Sequence, residues 1–131
     1  MRAIPRAPGN VPINRYKAGQ SGKRPWGRWR VVDVGAGFAV KRIEVAPGHR
    51  LSLQRHEGRE ERWVIVAGSA VVTLGARTRR LGPGGTVRIP KRAIHRLEND
   101  GDAPLILIEI QYGARLDEAD IERLADDYAR A

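Results

Sequence analysis

The chain has 131 residues, which is the usual size of one domain with its own hydrophobic core. Apolar residues make up 41% and charged residues 30%, as in ordinary globular proteins, and no apolar run approaches the ~20 residues that cross a bilayer. There is no cysteine, which excludes disulfides and thiolate metal sites. The first residues lack the apolar core of a secretory signal, so we expect a cytoplasmic protein without a membrane partner.

The charge is unevenly distributed along the chain. The net charge is +9, residues 1–30 contain eight Arg or Lys and no acid, and the stretch from Leu116 onward is acidic. The basic residues are scattered among Pro and Gly without aromatic interleaving, which argues against a nucleic-acid partner. Two interpretations remain open. The basic segment is an arm that lies on the surface or across a partner subunit, or the excess charge favours an anionic substrate.

The N-terminal segment is predicted to be irregular, because Pro and Gly interrupt any periodic pattern. The interrupting residues are Pro5, Pro8, Gly9, Pro12, Gly19 and Gly22. We therefore divide the chain into an arm of residues 1–23, which adds little to the core, and a single domain of residues 24–131.

Short apolar runs alternate with turn residues from Trp29 onward. The runs are WRVVD, FAVKRIEV, HRLSLQRH, RWVIVAG, AVVTLG, TVRIP and PLILIEI. Glycine-rich or proline-containing turns separate them, among them Gly35-Ala36-Gly37 and Gly82-Pro83-Gly84-Gly85. Many short strands joined by such turns predict an all-β sandwich or barrel.

The C-terminal end has the period of a helix. Ile121, Leu124, Ala125 and Tyr128 stand at positions i, i+3, i+4 and i+7, which form one apolar stripe. Asp117 precedes this stripe and suits the N-cap position. The pattern predicts an α-helix that begins at about residue 117.

Four side chains have the spacing of a metal site. Gln54 and His56 are two apart on a predicted strand and therefore share one face. After a turn, Glu61 begins the next strand and can face the same space, and His95 would supply a fourth ligand from a later glycine-framed unit. Amide, imidazole and carboxylate together suit a divalent ion such as Zn, Mn, Co, Ni or Fe. A single histidine on a strand is usually a packing or surface residue, but two ordered units favour a metal site.

These two units resemble the two conserved motifs of the cupin superfamily, with Gln54 in place of the first histidine of the usual H-x-H pair. Further segments are similar to the C-terminal isomerase module of the type II mannose-6-phosphate isomerase and mannose-1-phosphate guanylyltransferase family. These segments are RPWG, VKRIEVAPG, LSLQRH, REERW, HRLEN, IEIQ and DEADIERLADDYAR. The resemblance implies a small double-stranded β-helix, the cupin or jelly-roll barrel.

The resemblance also implies a cofactor, an activity and an assembly. It implies one divalent ion, zinc before the others, held by the four side chains above. It implies interconversion of mannose 6-phosphate and fructose 6-phosphate in carbohydrate metabolism, and a homodimer. The sequence departs from the family pattern at Glu57, Gly58 and Arg62, where relatives often have histidines, and at Arg92, where they have glycine.

An aldose–ketose isomerisation needs a proton-transfer group and cations for the phosphate. Glu109 shares its strand face with apolar residues, where a carboxylate is costly unless it is paired or functional, so we interpret it as the catalytic base. Lys41 is interpreted as a catalytic contact to the substrate, and Arg59, Arg62 and Arg92 as phosphate-binding residues. The alternatives are that Lys41 reaches solvent or pairs with Glu109, and that the arginines are merely solvated.

Three functions are compatible with these residues. The first is the sugar-phosphate isomerase. The second is an iron-dependent cupin dioxygenase, against which the amide of Gln54 argues mildly. The third is a noncatalytic metal-containing cupin that binds sugar or regulates, which the departures from the family pattern keep open.

Overall fold

A computed structural model describes residues 12–130, and its secondary structure is entirely β. The strands are β1 (Ile13–Asn14), β2 (Ser21–Arg24), β3 (Gly27–Gly35), β4 (Phe38–Val45), β5 (Leu53–Arg55), β6 (Arg59–Ala67), β7 (Ala70–Leu74), β8 (Arg77–Leu81), β9 (Thr86–Ile89), β10 (His95–Glu98), β11 (Leu105–Gly113), β12 (Arg115–Leu116) and β13 (Glu122–Ala125). Within residues 12–130 no helix has the length and apolar character needed to span a membrane.

Two large antiparallel sheets form the domain. One has the strand order β2-β3-β4-β11-β6-β9 and the other has the order β13-β5-β10-β7-β8. A short parallel pair, β1 with β12, joins the start of the described chain to the segment that follows β11. Side chains of both large sheets enter one core, for example Ile43 and Leu107 from the first and Val72 and Leu97 from the second. The all-β prediction is confirmed, although the sheets stay separate and do not close into one barrel.

Alternation along the central strands decides what enters the core. In β4 the buried residues are Ala39, Lys41, Ile43 and Val45, and in β11 they are Leu105, Leu107, Glu109 and Gln111. The inward face of β11 therefore changes from apolar to polar along the strand, and the inward face of β4 is apolar except at Lys41. The opposite face of β11 is apolar but only partly covered, because Ile106 and Ile108 are half-buried and Ile110 is 36% exposed.

The predicted C-terminal helix is absent. Asp117 does cap a backbone N–H, but the N–H belongs to Ala119 in a turn, 2.8 Å from Asp117 Oδ1. The chain then extends as β13 and pairs with β5, where Glu122 lies opposite Arg55 and forms an ion pair with it at 2.8 Å. Pairing with the open edge of the second sheet outweighs a weak local preference for helix.

The predicted irregular arm is also wrong over much of its described part. Ser21–Arg24 is a strand that pairs with β3, and Tyr16 is 5% exposed and packs edge-on against Trp29 in the core. This segment forms a hairpin with the edge of β3. Backbone hydrogen bonds to β3 hold it as a strand, although its sequence has no alternating apolar pattern. Residues 1–11 of the arm lie outside the described residues, and the division at residue 23 stays a prediction.

Arg92 occupies a position at which the resemblance to the family calls for glycine. Its φ is 63°, in the left-handed region that a side chain with a Cβ disfavours. The strained turn is held by a hydrogen bond from the Arg92 N–H to the carbonyl of His56 at 2.8 Å. The turn therefore has the positive φ that glycine adopts readily, although this chain has arginine at the position.

Replacing Arg92 by Gly should therefore give a more stable protein than replacing it by Ala, by about 1 kcal/mol. Both variants lose the exposed ion pair with Glu57, and only alanine keeps a Cβ at the positive φ. Urea unfolding of the two variants measures the difference. At most positions of a chain, alanine gives a more stable protein than glycine. An alanine variant as stable as the glycine variant would therefore contradict a left-handed backbone conformation at residue 92.

Candidate metal centre and ligand cavity

A cavity opens between the two sheets where their inward faces become polar. The room for water-sized spheres within it is about 90 Å³, and the empty space rises to about 710 Å³ when the solvent at its open mouth is included. Strands β4, β6 and β11 supply one wall, β5 and β10 supply the opposite wall, and the turn before β13 covers part of the mouth. The predicted metal ligands all line this cavity.

His56, Glu61 and His95 converge on one point of the cavity. The three are 5%, 2% and 2% exposed, and one ligand atom from each lies within 4.8 Å of the others. His56 Nε2 is 3.3 Å from Glu61 Oε2, and His95 Nε2 is 3.9 Å from Glu61 Oε1. Ligand atoms around a tetrahedral zinc ion stand about 3.4 Å apart for bonds near 2.1 Å. The spacing of the cluster therefore fits one ion of this size.

Both imidazoles are oriented by backbone carbonyls. His56 Nδ1 donates to the carbonyl of Asp120 at 2.5 Å, and His95 Nδ1 donates to that of Ala93 at 2.8 Å. Nε2 is then the unprotonated nitrogen of each ring, as a metal ligand requires. Burial lowers the pKa of His56 to about 4, with the positive charge of Arg59 acting in the same direction, and burial also lowers the pKa of His95. Both rings are therefore neutral at pH 7.

The Glu61 carboxylate is ionised in spite of its burial. Burial raises its pKa, but the charge of Arg59 and the nearby imidazoles outweigh this and bring it well below the usual range. Arg59 Nε donates to Glu61 Oε2 at 2.9 Å, and Trp63 Nε1 donates to Oε1 at 3.0 Å. Each oxygen keeps a further lone pair for a metal ion.

Gln54 stands beside this cluster. It lies directly opposite His95 in the β5–β10 ladder and is 8% exposed. Its amide nitrogen donates to the carbonyl and the hydroxyl of Ser52, each at 3.3 Å, which leaves the amide oxygen as the atom available for a metal. The four predicted ligands are thus brought together, and their donor set fits a divalent ion.

The two predicted catalytic residues also line the cavity, but they do not pair with each other. Lys41 and Glu109 are opposite one another in the β4–β11 ladder, yet the Lys41 ammonium contacts the Glu118 carboxylate at 2.8 Å. Gln111 donates a short hydrogen bond to Glu109. Burial, together with the negative charge of Glu61, raises the pKa of Glu109 to about 7. Their catalytic roles stay predictions.

Only one of the three predicted phosphate-binding arginines reaches the cavity. Arg59 is 6% exposed and lies beside Glu61. Arg62 points to the outer face of β6, where its Nε donates to the hydroxyl of Tyr112. Arg92 is on the surface, 3.0 Å from Glu57. The alternation of β6 explains the first two, because residues 59 and 61 face inward and residue 62 faces outward.

Sequence reasoning missed three residues of the site. Tyr16 falls in the predicted arm, and Glu118 and Asp120 fall in the predicted helix. Asp120 accepts hydrogen bonds from the backbone N–H groups of Glu57 and Gly58 at 3.0 and 2.8 Å, and so holds the turn between β5 and β6. The signal that points to Glu118 and Asp120 is their negative charge in a chain whose net charge is +9.

The two-sheet fold and the buried Gln-His-Glu-His set define a domain of the cupin class. A cupin domain of Cnp3 from Schizosaccharomyces pombe has a similar fold, with a TM-score of 0.63 and 18% identity over 66% of this chain and 64% of that one. Residues 13–126 match the family described as Mannose-6-phosphate isomerase C-terminal, and the chain belongs to this family.

The family includes named relatives of much greater length. The chain is 48% identical to mannose-1-phosphate guanylyltransferase of Escherichia coli (strain K12) and 50% identical to the alginate biosynthesis protein AlgA of Pseudomonas aeruginosa, each over 107 residues. Each match covers 82% of this chain and 22% of the relative. The chain thus spans about a fifth of the length of these relatives.

The predicted interconversion of mannose 6-phosphate and fructose 6-phosphate is corrected by these relatives. They are named as a guanylyltransferase and as polysaccharide biosynthesis proteins, not as isomerases. The motif residues identified the cupin domain correctly. They specify a metal-ligand set and a fold, which many reactions share, and they do not specify a reaction.

The metal-ligand set makes a direct prediction. The purified protein should bind about one divalent ion per chain, and His95→Ala should weaken zinc affinity by about 100-fold or more, because a buried ligand is lost. His49→Ala is the matched control, since His49 lies outside the cluster and contacts Tyr128 instead. Metal analysis and competition with a chromophoric chelator give the affinities, and equal zinc affinity in both variants would contradict the site.

The Lys41–Glu118 pair predicts a pH dependence of stability. Burial raises the pKa of Glu118, but Lys41 and Tyr16 outweigh it and lower the pKa from 4.5 to about 2. The pair therefore stabilises the native state fully above pH ~4.5 and is lost as the pH falls toward ~2.

Between pH ~4.5 and ~2, the free energy of unfolding of the wild type should fall by about 1–2 kcal/mol more than that of Glu118→Gln. Solvent screening keeps this difference small, because over a third of the Glu118 side chain is exposed. Urea unfolding of metal-free protein at several pH values measures the two curves. Parallel curves would mean that Glu118 is not held by Lys41.

Proposed function

We propose that this domain binds one divalent metal ion and, next to it, the phosphorylated sugar of mannose-phosphate metabolism. The observation that carries the proposal is a set of buried or half-buried cations in the same cavity as the metal-ligand cluster. The names of the relatives supply the sugar class, since mannose 1-phosphate is the substrate that the guanylyltransferase name contains. The activity of the longer relatives as a whole is not part of this proposal.

The charge balance of the cavity favours an anionic ligand. Its lining contains five arginine or lysine side chains and three glutamates; the cations are Arg24, Lys41, Arg59, Arg123 and Arg130, and the acids are Glu61, Glu109 and Glu118. Arg130 is itself paired with Asp126 at 2.8 Å, so the positive excess rests on the other four cations against the three glutamates. A bound divalent ion would increase this excess. A cationic cleft with low-dielectric walls attracts anions and strengthens their contacts. A phosphate monoester satisfies this environment better than a neutral sugar.

The metal has a defined place in this proposal. Gln54, His56, Glu61 and His95 would hold it, and a bound divalent ion would supply a Lewis acid that polarises ligand oxygens. Arg59 balances the charge of the Glu61 carboxylate and contacts two atoms of the cluster, with its Nε 2.9 Å from Glu61 Oε2 and its Nη2 3.3 Å from His56 Nε2. Trp63 closes the apolar side of the cluster, with its ring centroid 5.7 Å from that of His95.

Glu109 gives the cavity a group that can exchange a proton near neutral pH. With a pKa of about 7 it is present as both acid and carboxylate, so it can donate to or accept from a ligand hydroxyl. Gln111 fixes one of its oxygens. This supports a role for Glu109 in recognising or activating a sugar hydroxyl.

Assembly and location belong to the proposal as well. Val64, Val66 and Ile110 are 38%, 52% and 36% exposed on the outer face of the six-stranded sheet. Exposed apolar side chains on a sheet are the kind of surface that a second copy covers, which supports the predicted homodimer. The cytoplasmic location stays a prediction.

Isothermal titration of zinc-loaded protein tests the proposal. Mannose 1-phosphate or mannose 6-phosphate should bind at least ~10-fold more tightly than mannose, because charge-assisted hydrogen bonds to the phosphate contribute at least ~1.4 kcal/mol. Lys41→Met should lose most of this preference, whereas Lys91→Met, which changes an exposed lysine, should keep it. Melting temperatures identify any variant that has unfolded. Equal affinity for mannose and its phosphates in the wild type would refute the proposal.

A further inference from the structure

The Glu118 carboxylate lies on a set of hydrogen-bond donors at the cavity mouth. Lys41 Nζ is 2.8 Å from Glu118 Oε2, the Tyr16 hydroxyl donates a short hydrogen bond to the same oxygen, and Arg24 Nη2 is 3.3 Å from Oε1. We propose that Lys41, Tyr16 and Arg24 form an anion subsite whose internal occupant is Glu118, and that the phosphate of a phosphomonoester ligand displaces this carboxylate. The inference rests on the proposed function, because it assigns the place of the ligand's phosphate.

The donors are held in place by aromatic rings as well as by Glu118. Lys41 Nζ is 4.2 Å from the centre of the Tyr16 ring and 4.3 Å from that of Trp29. The Arg24 guanidinium is 5.4 Å from the centre of the Trp29 ring. Cation–π contacts of this kind fix a cation in position without neutralising it. The subsite therefore keeps its geometry and charge when the carboxylate leaves.

Burial makes an exchange of anions necessary. The Lys41 side chain is 5% exposed, and a buried ammonium without an anion is costly. Some anion must therefore stay with Lys41, either the glutamate or the ligand. Glu118 is the partner that can be replaced, because 36% of its side chain is exposed and the mouth of the cavity gives it a path into solvent.

The backbone around Glu118 is anchored on both sides. Asp117 accepts the N–H of Ala119 at 2.8 Å and forms an ion pair with Arg15 at 3.2 Å. Asp120 accepts the N–H groups of Glu57 and Gly58. Rotation about the Glu118 side-chain bonds is therefore sufficient to empty the subsite, and the turn itself does not have to open.

The chemistry of the donors selects a phosphate monoester. The subsite offers hydrogen-bond donors from an ammonium, a guanidinium and a phenol group. A carboxylate can accept from them with two oxygens, whereas a phosphate monoester dianion has three acceptor oxygens and up to twice the negative charge. The ligand would also add contacts between its sugar hydroxyls and the rest of the cavity. Displacement of a weaker internal anion by a stronger external one then favours binding.

The competing explanation is that Glu118 is a permanent tie. In that case the Lys41–Glu118 pair fastens the C-terminal segment to β4, and no ligand anion ever takes its place. The two explanations predict opposite effects on anion affinity when Glu118 loses its charge. Loss of stability in the variant is expected under both and does not distinguish them.

The deciding experiment measures inorganic phosphate binding to the full chain at fixed ionic strength. Glu118→Gln should bind phosphate about 10-fold more tightly than the wild type, because the competing carboxylate is gone while the cations remain. Glu122→Gln is the matched control on the same segment, since Glu122 pairs with Arg55 on the surface, and it should bind as the wild type does. Phosphate should also raise the melting temperature of Glu118→Gln more than that of the control.

Two further variants keep the test decisive. If Glu118→Gln does not fold, Glu118→Asp shortens the side chain and keeps the charge of the turn, and it should show a smaller gain in phosphate affinity. Adding Lys41→Met to either Glu118 variant should abolish the gain. An unchanged or reduced phosphate affinity in the folded Glu118 variant overturns the subsite, even if wild-type protein binds mannose phosphates. A gain in phosphate affinity without any binding of mannose phosphates keeps the subsite and refutes the proposed sugar ligand.

Discussion

Burial of charge in a β-core is the constraint on which the rest of this structure depends. Lys41, Arg59, Glu61 and Glu109 are each between 2% and 6% exposed. An isolated ion in such a place costs several kcal/mol, so each must have a partner with good geometry. The antiparallel ladders of β4, β11 and β6 supply this geometry, because they place inward-facing polar side chains on neighbouring strands at a fixed spacing. The metal-ligand cluster and the ligand cavity both depend on these inward-facing polar side chains.

The C-terminal segment completes the arrangement from outside the sheets. Through Glu118 it neutralises Lys41, and through the Asp120 carbonyl it orients the ring of His56. The Asp120 carboxylate holds the turn that leads to β6, and with it the direction of Arg59 and Glu61. A segment that lies away from the cluster in sequence therefore decides the protonation of one ligand and the charge balance of the cavity.

The strands and the ligand set could be predicted because their signals are local. Period-two alternation identified the inward faces of β4 and β11. The spacing of Gln54, His56 and Glu61 placed them around the turn between two consecutive strands, β5 and β6, which belong to opposite sheets. The C-terminal segment could not be predicted in the same way, since Ile121 and Leu124 satisfy a helical period and only the open edge of β5 makes β13 favourable. The predicted phosphate contacts Arg62 and Arg92 lie close to the metal motifs in sequence, but strand alternation turns Arg62 outward and the turn at residue 92 leaves Arg92 at the surface. The hydroxyl of Tyr16 has its hydrogen-bond partner 102 positions away, at Glu118, which no local pattern reveals.

The hydrogen bond from His56 to Asp120 has a consequence for biosynthesis of the chain. The two residues are 64 positions apart, and the large sheets are likewise built from pairings between distant segments. Such topologies close their long-range contacts late in folding. During translation the imidazole of His56 emerges well before the carbonyl that orients it, so a nascent chain has the ligands but not their final arrangement. Capture of a divalent ion would thereby be coupled to a late step of folding, because the oriented ligand set exists only once these distant segments have met.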